Sequence, residues 1–131
     1  MRRRVIRVWV CLVALTCLWG SAESGWESSG ALVLDISRSM QDNDPHNIRS
    51  DGEQTFIDLL HSVDGNHLGL ISFGAKARVM RPLTAIQRET QKSLKGSLPP
   101  IDSRAQRTEI GLGMAKGMEM LEGRGGTRYL V

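Results

Sequence analysis

The sequence predicts an α/β fold: an open, mostly parallel Rossmann-like sheet with helices on both faces. A continuous apolar run over residues 31–36, broken only by Asp35, has the character of a central strand buried on both sides. Between that run and the next, Phe56, Ile57, Leu59, Leu60 and Val63 recur at helical spacing. Strands and helices then continue to alternate, the order that builds parallel sheets through right-handed crossovers.

Residues 1–22 stand apart from this pattern. Arg2, Arg3, Arg4 and Arg7 precede an apolar run over residues 8–20, and Gly20-Ser21-Ala22 offers small residues for cleavage, which predicts a secretory signal peptide. The run is shorter than the roughly 20 residues needed to cross a bilayer, so an uncleaved membrane anchor is the second reading. Four of the 17 Lys+Arg and none of the 14 Asp+Glu lie in this segment, so residues 23–131 carry a net charge of −1. The basic character of the whole chain therefore reflects export, and no basic patch with interleaved aromatics argues for nucleic acid. Cys11 and Cys17 leave with the peptide, so neither disulfide nor thiol chemistry is expected in the periplasmic, cell-envelope or extracellular destination.

The polar, Gly/Ser-rich residues 23–30 read as a linker, and residues 31–131 as one domain. After the first strand, Gln41-Asp42-Asn43-Asp44-Pro45 is dense turn chemistry, and the spacing predicts a helix over 48–63, ended by Asp64-Gly65-Asn66. Residues 68–73 and 77–83 are the second and third strands. A helix is expected over 86–98, stopped by Pro99-Pro100, with Arg88, Lys92 and Lys95 as a basic stripe read as a solvated face. A further helix over 109–121 would bury Ile110, Met114, Met118 and Leu121. Its glycines Gly111, Gly113 and Gly117 each cost roughly 1 kcal/mol relative to Ala unless close packing offsets them. A last strand starts near Arg128, and the apolar ending Tyr129-Leu130-Val131 has no turn or polar tail, so the domain is expected to be incomplete at its carboxyl end.

The segment with most chemistry is Asp35-x-Ser37-x-Ser39, directly after the first strand. It puts one carboxylate and two hydroxyls at the carboxyl end of a strand, where open α/β sheets hold their ligands. Oxygen donors of this kind suit Mg²⁺, which prefers near-octahedral oxygen geometry and keeps several waters. Asp42 and Asp44 read first as turn formers. His46, His61 and His67 lack the paired spacing of a zinc site.

The order of apolar strand, Asp35-x-Ser37-x-Ser39, helix, the strand His67-Leu68-Gly69-Leu70-Ile71-Ser72-Phe73-Gly74, and Arg107-Thr108-Glu109-Ile110 opening a helix resembles the von Willebrand factor type A domain, of the exported bacterial type. The resemblance implies a metal-ion-dependent adhesion site. Ser37 and Ser39 would ligate the ion, Asp35 would do so directly or through water, and Thr108 would add its hydroxyl or a water-mediated contact. The cation would be Mg²⁺, with Mn²⁺ or Ca²⁺ as substitutes, and its open position would accept an Asp or Glu of a protein partner. Thr108 also reads as a helix N-cap. The family's second acidic motif, Thr-Asp-Gly after the fourth strand, would fall beyond Val131, which leaves Asp35 as the one carboxylate and lowers the expected affinity.

The expected function is thus an exported, non-enzymatic adhesion or protein-binding module with no catalytic residues. A phosphatase-like hydrolase using Asp35 is the alternative from another class. It is weakened because Ser37 stands where a general acid would be needed, and a serine hydroxyl cannot supply that proton near neutral pH. A nonfunctional remnant is a third reading.

Overall fold

The computed structural model describes residues 27–61 and 64–131. The signal peptide read at residues 1–22, the first part of the linker, and Ser62 and Val63 lie outside the described residues. Four strands, β1 (Ser28–Asp35), β2 (Asn66–Phe73), β3 (Ala77–Ala85) and β4 (Thr127–Leu130), form one sheet in the order β3-β2-β1-β4. Four helices accompany them among the described residues: α1 (Ser39–Asn43), α2 (Ile48–His61), α3 (Arg88–Lys95) and α4 (Ile110–Leu121). None of these is long and apolar enough to cross a membrane.

Strand β1 is central because alternate residues have something to bury on each face. Leu32 and Leu34 join Leu68 and Leu70 of β2 against Ile57 of α2 and Ile86 and Leu94 around α3. Ala31 and Val33 point the other way, into a second cluster with Ile71, Leu83, Leu121 and Leu130 beneath α4. β1 pairs in parallel with both neighbours, Leu32 opposite Leu70 and Ala31 opposite Leu130. Both β1 and β2 therefore end at the same edge, where Ile36 N–H donates to Phe73 C=O at 2.9 Å.

Several expectations are corrected in detail. β1 begins at Ser28 rather than Ala31, because Ser28 pairs with Asn66 and its hydroxyl reaches the Asn66 side chain, so residues 28–30 belong to the sheet. The Asn66 amide also donates to Leu60 C=O at 2.8 Å, which ties the end of α2 to the start of β2. β3 is antiparallel to β2. The connection Gly74-Ala75-Lys76 turns the chain back directly, whereas a parallel crossover needs about a dozen residues or more. Helix α3 is shorter than the periodicity suggested. It starts after Gln87, whose N–H donates to Thr90 Oγ1 at 2.9 Å in a reciprocal cap.

The largest departure is in α4. Ile110, Met114 and Met118, expected in the core, are 57%, 48% and 66% exposed. Of the expected stripe Leu121 is buried, and it shares the inward face with Gly113 and Gly117. Apolar spacing alone does not say which stripe faces inward. Here the helix backbone approaches the sheet closely, and a Cβ at Gly113 would lie 2.8 Å from Phe73 Cδ1 and 2.9 Å from Val33 Cγ1.

Two alanine substitutions in α4 are therefore expected to act in opposite directions. Gly113→Ala should destabilise by about 1–3 kcal/mol, the cost of overpacking, despite the helix-propensity gain. Gly111→Ala, where nothing lies within 4 Å of the new methyl, should raise stability by up to about 1 kcal/mol. Urea denaturation of both variants tests the packing. A higher midpoint for Gly113→Ala would contradict it.

Candidate metal centre

β1 delivers Asp35 as its last residue. The Asp35 Oδ1 accepts the Ser37 backbone N–H at 2.8 Å, a local turn in which the side chain replaces the lost ladder partner. That turn brings Ser37 inward, where it is 1% exposed, while Ser39 opens α1 at the surface. Their hydroxyl oxygens lie 3.0 Å apart.

These donors fit a small hard cation. Ser37 Oγ and Ser39 Oγ are hydrogen-bonded to one another at 3.0 Å, a spacing that two ligands at adjacent corners of an octahedron with metal–oxygen distances of about 2.1 Å also take. Asp35 Oδ2 makes no hydrogen bond within the described residues and remains available as an anionic donor. Among the described residues, no group of three or more His, Cys, Asp and Glu is placed to hold a metal. The donor set is therefore rich in neutral hydroxyls and holds one carboxylate.

A strap formed by residues 99–109 crosses this edge. Asp102 N–H donates to Ile36 C=O at 2.8 Å, Arg38 N–H to Ala105 C=O at 2.9 Å, and Glu109 N–H to Gly74 C=O at 2.9 Å. Thr108 rides on the strap just before the last of these contacts. It is exposed and makes no hydrogen bond to Asp35, Ser37 or Ser39, so the structure joins those three directly and brings Thr108 to the same edge. The N-cap expected from Thr108 is not formed: Glu109 occupies the cap position of α4 without a side-chain capping bond.

The turn acids are spent elsewhere or exposed. Asp44 accepts the backbone N–H groups of Ile48 at 2.7 Å and Arg49 at 2.9 Å, which covers two of the open donors at the start of α2. Asp42 is exposed in α1. The basic stripe of α3 is partly neutralised, since Lys95 pairs with Asp58 of α2 at 2.6 Å.

Sequence reasoning missed Arg49. Its guanidinium donates to the backbone carbonyl of Asp35 and, at 3.2 Å, to that of Pro99, and it pairs with Glu53 at 2.9 Å. One side chain thus clamps the end of β1, the start of the strap and α2. The i, i+4 spacing of Arg49 and Glu53 on an expected helix was the available signal. Burial pushes the Glu53 carboxyl above its ordinary range, opposed by the Arg49 charge and reinforced by Asp44.

Residues 31–131 match the profile of the von Willebrand factor type A domain. No curated protein sequence shows significant similarity to the chain. Among solved structures, the PilB minor pilin from Streptococcus sanguinis is similar with a TM-score of 0.67 at 16% identity, covering 84% of this chain and 30% of the pilin. Proximal thread matrix protein 1 from the mussel byssus, with a zinc-occupied MIDAS motif, gives a TM-score of 0.63 at 19% identity, covering 81% of this chain and 28% of that one. A membrane-spanning protein from Vibrio fischeri gives a TM-score of 0.57 at 28% identity, over 72% of this chain and 50% of that one. The chain spans half or less of the length of each.

The clamp leads to two expected outcomes. Arg49→Ala leaves Glu53 buried without its partner and should cost about 3 kcal/mol or more in denaturant unfolding, part of which Glu53→Gln restores in the same background. The raised Glu53 carboxyl stabilises the fold fully below its ordinary value of 4.5, and that contribution is lost as pH rises through the folded value. Wild type should therefore lose stability relative to Glu53→Gln as pH rises above 4.5. A flat difference above that pH would contradict the assignment.

Proposed function

The chain belongs to the von Willebrand factor type A domain family, and on that premise we propose that it is an exported protein-binding module. It engages an Asp or Glu of a protein partner through a divalent cation, Mg²⁺ in the first instance. The observation that carries this reading is the convergence at one strand end of the Ser37 and Ser39 hydroxyls, hydrogen-bonded to one another at 3.0 Å, and a carboxylate already oriented by Ser37 N–H. Likeness to a pilin and to a byssus matrix protein supports an extracellular, adhesive setting.

Each residue has a distinct part. Ser37 is buried and locked between strand and helix, so its hydroxyl is a preorganised donor. Ser39, at the surface, supplies a second neutral oxygen. Asp35 supplies the negative charge, with one oxygen held and the other free. Thr108 lies on the strap and supplies a further hydroxyl at the same edge. A divalent cation bound there offers an electrophilic position for a carboxylate, because the hydroxyls leave its charge largely uncompensated. This reading is one of binding rather than catalysis: the position two residues after Asp35 is a serine that hydrogen-bonds Ser39 and is unsuited to proton transfer.

Calorimetric titration of Mg²⁺ and Mn²⁺ into wild type, Asp35→Ala and Ser37→Ala tests the proposal, with circular dichroism confirming that the fold survives. Both substitutions should weaken binding by about tenfold or more, by loss of a hydroxyl ligand in one case and of the site's carboxylate in the other. Equal affinity in all three proteins would overturn the reading.

A further inference from the structure

Beside the candidate metal centre lies a cleft of about 580 Å³ between the β2–β3 turn and the strap. Ile36, which stands between Asp35 and Ser37 in the chain, forms part of its wall. So does Ala105, whose carbonyl holds Arg38 N–H, so the cleft begins within one residue of the site. Its floor includes the apolar Ile101 and Met80.

The polar lining has one dominant sign. Lys76, Arg78 and Arg104 line the cleft against a single acid, Asp102. Lys76 and Arg78 are exposed, two residues apart, and β-strand alternation puts Arg78 on the same side as Met80. Neither Lys76 nor Arg78 makes an ion pair within the described residues. Arg104 approaches Asp102 only at 3.9 Å, and its side chain is 95% exposed. The chain from residue 23 onward is slightly acidic, so three cations about one cleft are a local concentration rather than a consequence of overall charge.

We propose that this cleft receives an acidic segment of the protein partner, so that acidic residues flanking the carboxylate at the metal centre pair with Lys76, Arg78 and Arg104. The proposal deepens the proposed function and rests on it for the placement of the first carboxylate. An extended segment advances about 3.3 Å per residue, so residues a few positions from a carboxylate at Ser37 and Ser39 have the reach to enter the cleft that Ile36 helps to line. The charges set orientation and encounter rate, and the apolar floor accepts the stem of the segment.

Fluorescence anisotropy with a labelled hexaglutamate peptide, and with a hexapeptide carrying one Glu among glycines, tests this in Mg²⁺-containing buffer. Hexaglutamate should bind wild type about fivefold or more tightly than the single-Glu peptide, with an affinity that falls as salt rises. Lys76→Glu with Arg78→Glu should remove that advantage while Mg²⁺ binding, read by calorimetry, persists, because the added carboxylates favour a nearby cation. Arg88→Glu with Lys92→Glu on α3 makes the same change in net charge away from the cleft and should leave the advantage intact. Equal losses in the two double variants, or a loss in neither, would overturn the proposal. The two readings separate cleanly. If Asp35→Ala abolishes Mg²⁺ binding while reversal in the cleft changes nothing, the cleft proposal falls and the metal centre stands. If Mg²⁺ does not bind but Lys76 and Arg78 still set hexaglutamate affinity, the metal centre falls and the cleft stands.

Discussion

The arrangement at the edge that carries the candidate site depends on the parallel pairing of β1 with β2. Because both strands run the same way and end together, the backbone groups just past their ends face each other and need partners. Ile36 N–H finds Phe73 C=O, Ile36 C=O finds Asp102 N–H, and Gly74 C=O finds Glu109 N–H. The last two of those bonds fasten a strap over the sheet edge. Without the strap, Thr108 would not reach the edge at all, and the cleft beside Ile36 would have no second wall.

The same edge shows how a polar site is held inside an apolar fold. Asp35 is fixed through its own turn on one side and through Arg49 on the other. Arg49 in turn is held against Glu53, which is 7% exposed. A buried ion pair adds little net stability, because desolvation offsets the attraction. Its value here is positional: one planar guanidinium bonds two carbonyls from separate segments and a carboxylate from a third position. Asp44 completes the unit by capping the helix that carries both residues. Asp44 therefore works for the scaffold, and the candidate site keeps a single carboxylate.

The glycines of α4 illustrate a different constraint. A helix over a sheet buries a stripe, and the sequence offers two: a methionine-bearing one and a small-residue one. Volume decides between them. The side chains of Phe73 and Val33 already fill the space under the helix, so only residues without a Cβ allow the backbone to come near. Ile110, Met114 and Met118 are left on the outer side. Hydrophobicity ranks the stripes the wrong way round, because it measures what a residue gains by burial and not what room exists for it.

Much of the fold was legible from the chain, because the periodicities are local. The apolar run ending in Asp35, the helical spacing through Leu60, and Asp-x-Ser-x-Ser at a strand end depend on neighbours a few residues apart, so they determined the α/β class and the central strand and singled out the first three candidate site residues. The direction of β3 was also implicit in its three-residue connection, though alternation of strands and helices pointed to parallel pairing. Tertiary structure decided what depends on distant partners. Arg49 reaches Asp35 and Pro99 across 14 and 50 positions of sequence, Thr108 arrives on a strap fastened by backbone groups that every residue has, and the inward face of α4 follows from the volume of side chains on other strands. Backbone hydrogen bonds and available space carry no residue-specific signature, and they appear only once the chain has folded.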